Sequence, residues 1–317
     1  MDADGDEALV SYIGAFVENP TTPNPFALAV LSRTLSPGRE EGLVPTVPEH
    51  FDGAVFQILR LGDDGNEICG SGYFVAPGLG LTATHVFDGV EKGDRFRALS
   101  PRNDGSLQQW TIEQLRRGIV RRDDVLTGAG EVRQHDVALF SLKPQFDLPP
   151  LLAQNIISLE VEEPRVGDLL TVVGFRAPLV EVTGHREARS EFQFLSSVGR
   201  ILDVFPAGRG WNFPAPMLIA DLETLGGMSG GPVFNRNGRA IGVLTGSLGD
   251  ANGGRPSYVT LSWSAMTLEV DASWPSNWPH GKGSLRFAAM NGMAAVHGLE
   301  YRGAVDATAI VIPQRAE

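Results

Sequence analysis

Cysteine is almost missing: Cys69 is the single one among 317 residues. An internal disulfide is therefore excluded, which argues against a small stapled secreted fold and fits a reducing compartment. Histidine is scarce too, with six residues and no His-Glu-x-x-His pattern or paired cysteines, so no metal or other cofactor is expected. Basic residues are outnumbered, 26 Lys+Arg against 38 Asp+Glu, for a formal net charge of −12. A field of that sign repels phosphate backbones and anionic membrane surfaces, so neither nucleic acid nor membrane is an expected partner. No run approaches the ~18 apolar residues of a membrane helix. The start, Met1 to Glu7, is acidic where a secretory signal is basic, and Ala8–Val17 is interrupted by Ser11, Tyr12 and Gly14. The Asp2/Asp4/Asp6 alternation is not a calcium loop, because Glu7 and Ile13 occupy its glycine and glutamate positions. These absences together predict a cytoplasmic protein.

What is present is a hydrophobic fraction of 42%, ample for sizeable cores, in a length that suggests about two domains. Gly 38 and Pro 21 make 59 of 317 residues, a turn-rich composition. Residues 1–48 read as an extension with helical apolar spacing at Ala8–Glu18 and Pro25–Arg33, separated by prolines. From Phe51 the texture is of strands: Ala54–Leu61, Gly70–Val75, Gly80–Ala83, Phe96–Leu99, Trp110–Ile112 and Val137–Leu142. A proline-rich stretch at about 143–166 reads as a linker. A second group follows: Leu169–Phe175, Leu179–Thr183, Glu191–Val198, Met217–Leu222, Pro232–Phe234, Ala240–Leu244 and Ser257–Leu261. Short strands at regular spacing without helical crossovers predict an all-β chain of two antiparallel barrels or sandwiches in tandem. Ser264–Val270 and Ser284–Gly298 have helical spacing, so the tail is expected to place a helix or two on the second barrel and to end in a strand, Ala309–Ile312. The basic cluster Arg116-Arg117 with Arg121-Arg122 is followed by Asp123 and Asp124 and reads as a solvated hairpin.

Three segments put reactive side chains beside strand ends. Leu81-Thr-Ala-Thr-His85 ends an apolar strand in histidine, His135-Asp136-Val-Ala-Leu puts an aspartate at the mouth of a buried strand, and Gly227-Met-Ser229-Gly-Gly-Pro232 sets a serine among glycines ahead of a strand. Serine needs a base with a pKa near neutrality, which histidine supplies, and an aspartate behind the ring fixes its tautomer. The glycines permit a turn that aims two amides, those of Gly227 and Ser229, at one oxyanion. Gly227-Met-Ser229-Gly-Gly231 also satisfies the G-x-S-x-G elbow of α/β-hydrolases, but it leads into a strand instead of a helix, and only His280 and His297 follow it.

In their order along the chain, these blocks resemble the catalytic segments of the trypsin-like (chymotrypsin-fold) serine proteases, with a serine block similar to the bacterial branch that includes the glutamyl endopeptidases. The resemblance covers about residues 50–265 and implies two six-stranded antiparallel β-barrels with the active site between them. On this reading 49–155 forms the first barrel, carrying His85 and Asp136, and 156–268 the second, carrying Ser229; 1–48 and 269–317 are short helical extensions. It implies a serine endopeptidase with a polypeptide substrate and no cofactor. It also implies that Glu223 lies at the base of the first specificity pocket, that Thr245 stands behind the aspartate, and that Thr245-Gly246-Ser247 offers backbone to a substrate strand. Glu223 favours a basic side chain in that pocket. Thr224 matches half of the acid-reading pair of the glutamyl branch, with Leu244 in place of its histidine, and a small or apolar preference is the third alternative. Cys69 lacks its usual partner, since Val86 follows His85, and reads as a buried free thiol. Met228 stands where zymogens carry an aspartate that pairs with a newly cut N-terminus, so that activation route is not expected. The extensions are candidates for a regulatory protein partner. The alternative reading is a protease-like binding module whose triad is inactive at rest.

Overall fold

The structure is a computed structural model that describes residues 28–31, 43–45, 51–62, 65–91, 94–102, 107–123, 130–145, 154–176, 181–182, 188–189, 193–210, 213–248, 253–275, 282–298, 300–301 and 310–311. Six antiparallel strands close the first barrel, in the order Val55–Gly62, Gly65–Ala76, Leu79–Thr82, Gly130–Pro144, Leu107–Asp123 and Arg95–Pro101, the last pairing back with the first. Large and small side chains interdigitate inside it. A Cβ on Gly72 would lie 2.5 Å from the Phe56 ring and one on Gly80 2.7 Å from that of Phe140. Phe56, Phe74 and Phe140 form edge contacts at centroid distances of 4.7 and 5.9 Å around Phe56. Burying each such ring contributes about 1.5–3 kcal/mol.

A second ring of six antiparallel strands runs Pro232–Phe234, Leu169–Arg176, Gln193–Phe205, Met217–Ala220, Ser257–Leu261 and Ala240–Ser247, and closes because Ala240–Ser247 pairs again with Pro232–Phe234. The expected strand at Leu179–Thr183 stays outside this ring as a small ladder, Glu181–Val182 with Ala188–Arg189.

Three expectations about the flanks change. Pro25–Arg33 contains a strand, Leu28–Leu31, paired in parallel with Gln154–Ile157. Its register lies against a segment read as linker, which itself holds Gln154–Ile157 and Leu159–Glu160, and a local helical pattern does not survive when a neighbouring strand offers a full ladder. Leu43–Pro45 adds a further strand to the second ring, opposite Leu195–Ser197. The predicted stretch Ala8–Glu18 lies outside the described residues. In the tail, Ser264–Val270 gives a single 3-10 turn, Ser262–Ala265, and then a strand, Glu269–Asp271, while Ser284 caps the six-residue helix Leu285–Met290 by accepting from the Phe287 amide at 3.2 Å. The tail also crosses to the first barrel. Asp271 exchanges two hydrogen bonds of 3.1 Å with Gln114, Trp274 meets Trp110 edge-on at 5.3 Å, and a Cβ on Gly283 would touch Leu79. The final strand appears as Ile310–Val311, paired with Glu300–Tyr301.

Candidate active site

His85 sits on a one-turn 3-10 helix, Thr84–Phe87, that leaves the end of strand Leu79–Thr82. That strand pairs with Gly130–Pro144 in a register that sets Thr82 opposite Ala138. Three residues onward from Thr82 and two back from Ala138 therefore meet. The Thr84 hydroxyl fastens the junction by donating to the His135 carbonyl at 2.7 Å. His85 Nδ1 lies 2.9 and 3.1 Å from the two Asp136 carboxylate oxygens, and its backbone N–H donates to Oδ1 at 3.1 Å. With Nδ1 protonated, Nε2 is left as the basic nitrogen. Burial pulls the imidazole pKa down, but the hydrogen bond to Asp136 and its charge, helped by Asp88, outweigh burial and hold it above 6.5.

Ser229 follows Met228, the residue at the junction of two consecutive turns. The first is closed by the Met228 amide donating to the Leu225 carbonyl at 3.1 Å, with Gly227 at φ +92°; the second by the Gly231 amide donating to the Met228 carbonyl at 3.0 Å, with Gly230 at φ +87°. A positive φ at the third residue is the type II pattern, which glycine adopts at little cost. Gly230 N–H donates to Leu244 O at 2.8 Å. Met228, Gly230 and Gly231 thus use their amides, whereas those of Gly227 and Ser229 donate to no acceptor among the described residues. Met228 is fully buried, and its sulfur accepts from the Leu225 amide at 3.4 Å, so a thioether steadies the turn where the resemblance offers a carboxylate.

The loop docks on the first barrel beside the histidine. Ser71 N–H donates to the Ser229 carbonyl at 2.7 Å, and the Ser71 hydroxyl donates to Gly227 O at 2.9 Å while accepting from Phe175 N–H at 2.8 Å. A Cβ on Gly70 would approach both Val86, next to His85, at 2.7 Å and the Ser229 carbonyl at 2.8 Å. His85 and Asp136 are in contact and Ser229 is brought to the same strand, although no hydrogen bond joins Ser229 Oγ to His85 among the described residues. Ser71 was not singled out in the sequence. Its signal is the Gly70-Ser71-Gly72 context, where flanking glycines let two barrels approach a small hydroxyl.

Residues 70–243, more than half of the chain, match the trypsin-like peptidase domain family. The chain belongs to that family. Similar solved structures include the HtrA-type protease AlgW with a tripeptide, at 19% identity over 67% of this chain and 57% of that one, TM-score 0.41. Another is the Rv3671c protease from M. tuberculosis in its active form, at 17% identity over 68% and 78%, TM-score 0.43. The chain thus spans little more than half the length of AlgW, and none of the curated proteins matches it.

In this trypsin-like peptidase domain the expected pocket residues divide. Thr224 is buried and bonds Ser257 Oγ at 2.9 Å, Leu244 is buried, and the Thr245 hydroxyl donates to Tyr258 O at 3.2 Å while its residue lines a cavity together with Asp136. Glu223 is 41% exposed, and Arg255 reaches both it, at 3.4 Å, and Asp221, at 3.5 Å. Gly246 and Ser247 end the strand Ala240–Ser247 and, among the described residues, pair there only with Tyr258 and Ser257. Cys69 is a free, half-buried thiol; burial and the Glu67 charge push its pKa up to about 11, so it stays protonated and unreactive at neutral pH.

Proposed function

We propose that the protein is a serine endopeptidase in which His85, Asp136 and Ser229 act as a triad. His85 takes the Ser229 proton as the hydroxyl attacks the substrate carbonyl, Asp136 stabilises the imidazolium, and His85 then protonates the departing amine. The acyl-enzyme is released when His85 activates a water in the same way. The developing oxyanion is received by the Gly227 and Ser229 amides. The observation that carries this reading is that the Gly227 and Ser229 amides donate to no acceptor among the described residues, in a loop fastened to the histidine-bearing barrel. A fluorophosphonate probe is expected to label the wild type and not Ser229→Ala; a correctly folded wild type that stays unlabelled would overturn it. Met228 supports a loop that forms without a newly cut N-terminus, so the active form does not require removal of residues 1–48.

The missing Ser229–His85 hydrogen bond favours a second reading, a protease-like binding module that is inactive at rest and switched by a protein partner. Labelling that begins only when a partner is added would distinguish it.

The Arg255 pairing supports cleavage after small or apolar residues, since a guanidinium beside Glu223 offsets the charge that would attract lysine or arginine. In a peptide-library profile, Arg255→Ala is expected to raise cleavage after Lys and Arg several-fold over wild type. An unchanged profile would place Glu223 outside the pocket.

A further inference from the structure

Arg117 departs from the solvated hairpin expected of its basic cluster. Its half-buried side chain turns back to the helical turn that carries His85, where Nη2 donates to the Phe87 carbonyl at 3.0 Å and Nη1 to Gln134 Oε1 at 3.2 Å. Its neighbour Arg116 stays exposed.

Strand register shows what the guanidinium spans. In the pairing of Leu107–Asp123 with Gly130–Pro144, Arg117 lies opposite Ala138 and Ile119 opposite Gln134, so that His135, Asp136 and Val137 stand against Gly118 alone. Such a bulge bends its strand and re-aims a side chain. Gly118 leaves the room for it, since a Cβ there would lie 2.8 Å from His135 Nδ1. Asp136 projects from the middle of this irregular stretch and meets His85 Nδ1 at 2.9 Å. Arg117 marks one end of the bulge and Gln134 the other, so the hydrogen bond between them bridges it.

The turn Thr84–Phe87 is held to the same bulge at both of its ends. At the first, the Thr84 hydroxyl donates to the His135 carbonyl at 2.7 Å; at the last, Phe87 O accepts from Arg117. His85 lies between them. The buried Phe87 ring, edge-on to Phe96 at 5.0 Å and to Phe140 at 6.1 Å, fixes where the turn sits on the core but leaves its tilt to the backbone. A charged donor on the last carbonyl sets that tilt.

We infer that Arg117 is a positioning residue for the His85–Asp136 pair: by gripping the Phe87 carbonyl and bridging to Gln134, it keeps the turn that carries the imidazole aligned with the bulge that carries the carboxylate. It acts through the Phe87 peptide and not on the ring. Misplacing a reacting group by about 1 Å can cost on the order of 100-fold in rate, so a device that holds two such groups in register is worth its own residue. The catalytic consequence rests on the serine peptidase reading.

The test follows the rate of fluorophosphonate labelling of the full chain between about pH 5 and pH 9, a range that covers the His85 limb. Arg117→Gln is expected to slow labelling on the alkaline plateau about tenfold or more and to move the limb to lower pH. The direction of that shift separates position from charge. Removing a positive charge near an imidazole raises its pKa, whereas loosening the contact with Asp136, which together with Asp88 holds the His85 pKa up, lowers it. Arg116→Gln removes the same charge from the exposed neighbour and should leave the plateau within about twofold of wild type. Arg117→Lys keeps one donor for Phe87 O but loses the fork; it should slow labelling about threefold with the same direction of shift, and it carries the test if the glutamine variant folds poorly. A limb that stays in place or moves to higher pH, an unchanged plateau, or an equal effect of Arg116→Gln would overturn the assignment. With a labelled wild type, any of these removes the role of Arg117 and leaves the peptidase reading standing, whereas an unlabelled wild type removes both.

Discussion

Replacing Asp136 with asparagine is expected to lower kcat by about 10⁴-fold while leaving KM within a few-fold. The amide keeps the shape of the carboxylate, but it presents an N–H or a neutral oxygen to His85 Nδ1. The ring is then free to adopt the wrong tautomer, and the charge that stabilises the imidazolium is lost. The pH dependence gives an independent reading. In the wild type the Asp136 interaction holds the folded pKa of His85 above 6.5, so the rate should climb with pH through a limb above that value, as the neutral base appears. In Asp136→Asn burial is opposed only by the charge of Asp88, and the residual limb should fall to lower pH. The stability contribution has the opposite sense. Because the folded-state pKa is raised, the pair stabilises the fold fully below 6.5 and the contribution is lost as pH rises through the folded value. The difference in melting temperature between wild type and Asp136→Asn should therefore shrink on going from about pH 5.5 to pH 8.5. A pH-independent difference would mean that Asp136 acts only through packing.

Gly230→Ala is expected to destabilise the protein by about 3–5 kcal/mol and to abolish probe labelling. Two independent effects add at this position. The backbone is at φ +87°, a conformation that side chains with a Cβ rarely adopt, and the new methyl group would fall on the Ser71 carbonyl and the Thr82 hydroxyl. Both obstacles belong to the first barrel, and Thr82 Oγ1 already donates to Ser71 O at 2.7 Å, so neither can yield separately. Relief requires the serine loop to move away from the histidine. Gly226→Ala is the matching control: its Cβ would meet nothing within 4 Å, so the melting temperature should change little. Thermal melts of the two variants compared with wild type measure the difference.

Much of this architecture was legible in the residues because barrel strands carry their own signal. All six strands of the first barrel were marked by short β-rich runs between turn residues, and six of the seven runs in the second group are strands of the second ring. The flanks were not legible, for a physical reason. Leu28–Leu31 and Leu43–Pro45 are strands because of the partners they meet far along the chain, and nothing in four or three residues encodes such a partner. The site shows the same division. The His85–Asp136 contact follows from strand register, and the serine turns follow from glycine positions. Ser71 joins the two barrels through a hydroxyl whose acceptor and donor lie 156 and 104 residues away, and Arg255 approaches Glu223 only because the strands Thr224–Leu225 and Gly253–Gly254 pair.

The crossing of the tail onto the first barrel has a consequence for how the chain is made. The first barrel has all its strands once residue 144 is synthesised, yet Trp110 and Leu79 await partners at Trp274 and Gly283. At ~5–20 residues per second, those partners arrive on the order of ten seconds later. Until residue 229 is made, the nascent chain holds His85 and Asp136 without Ser229. The proposed triad is therefore assembled late, when the second barrel is complete and the strands that cover the first are in place.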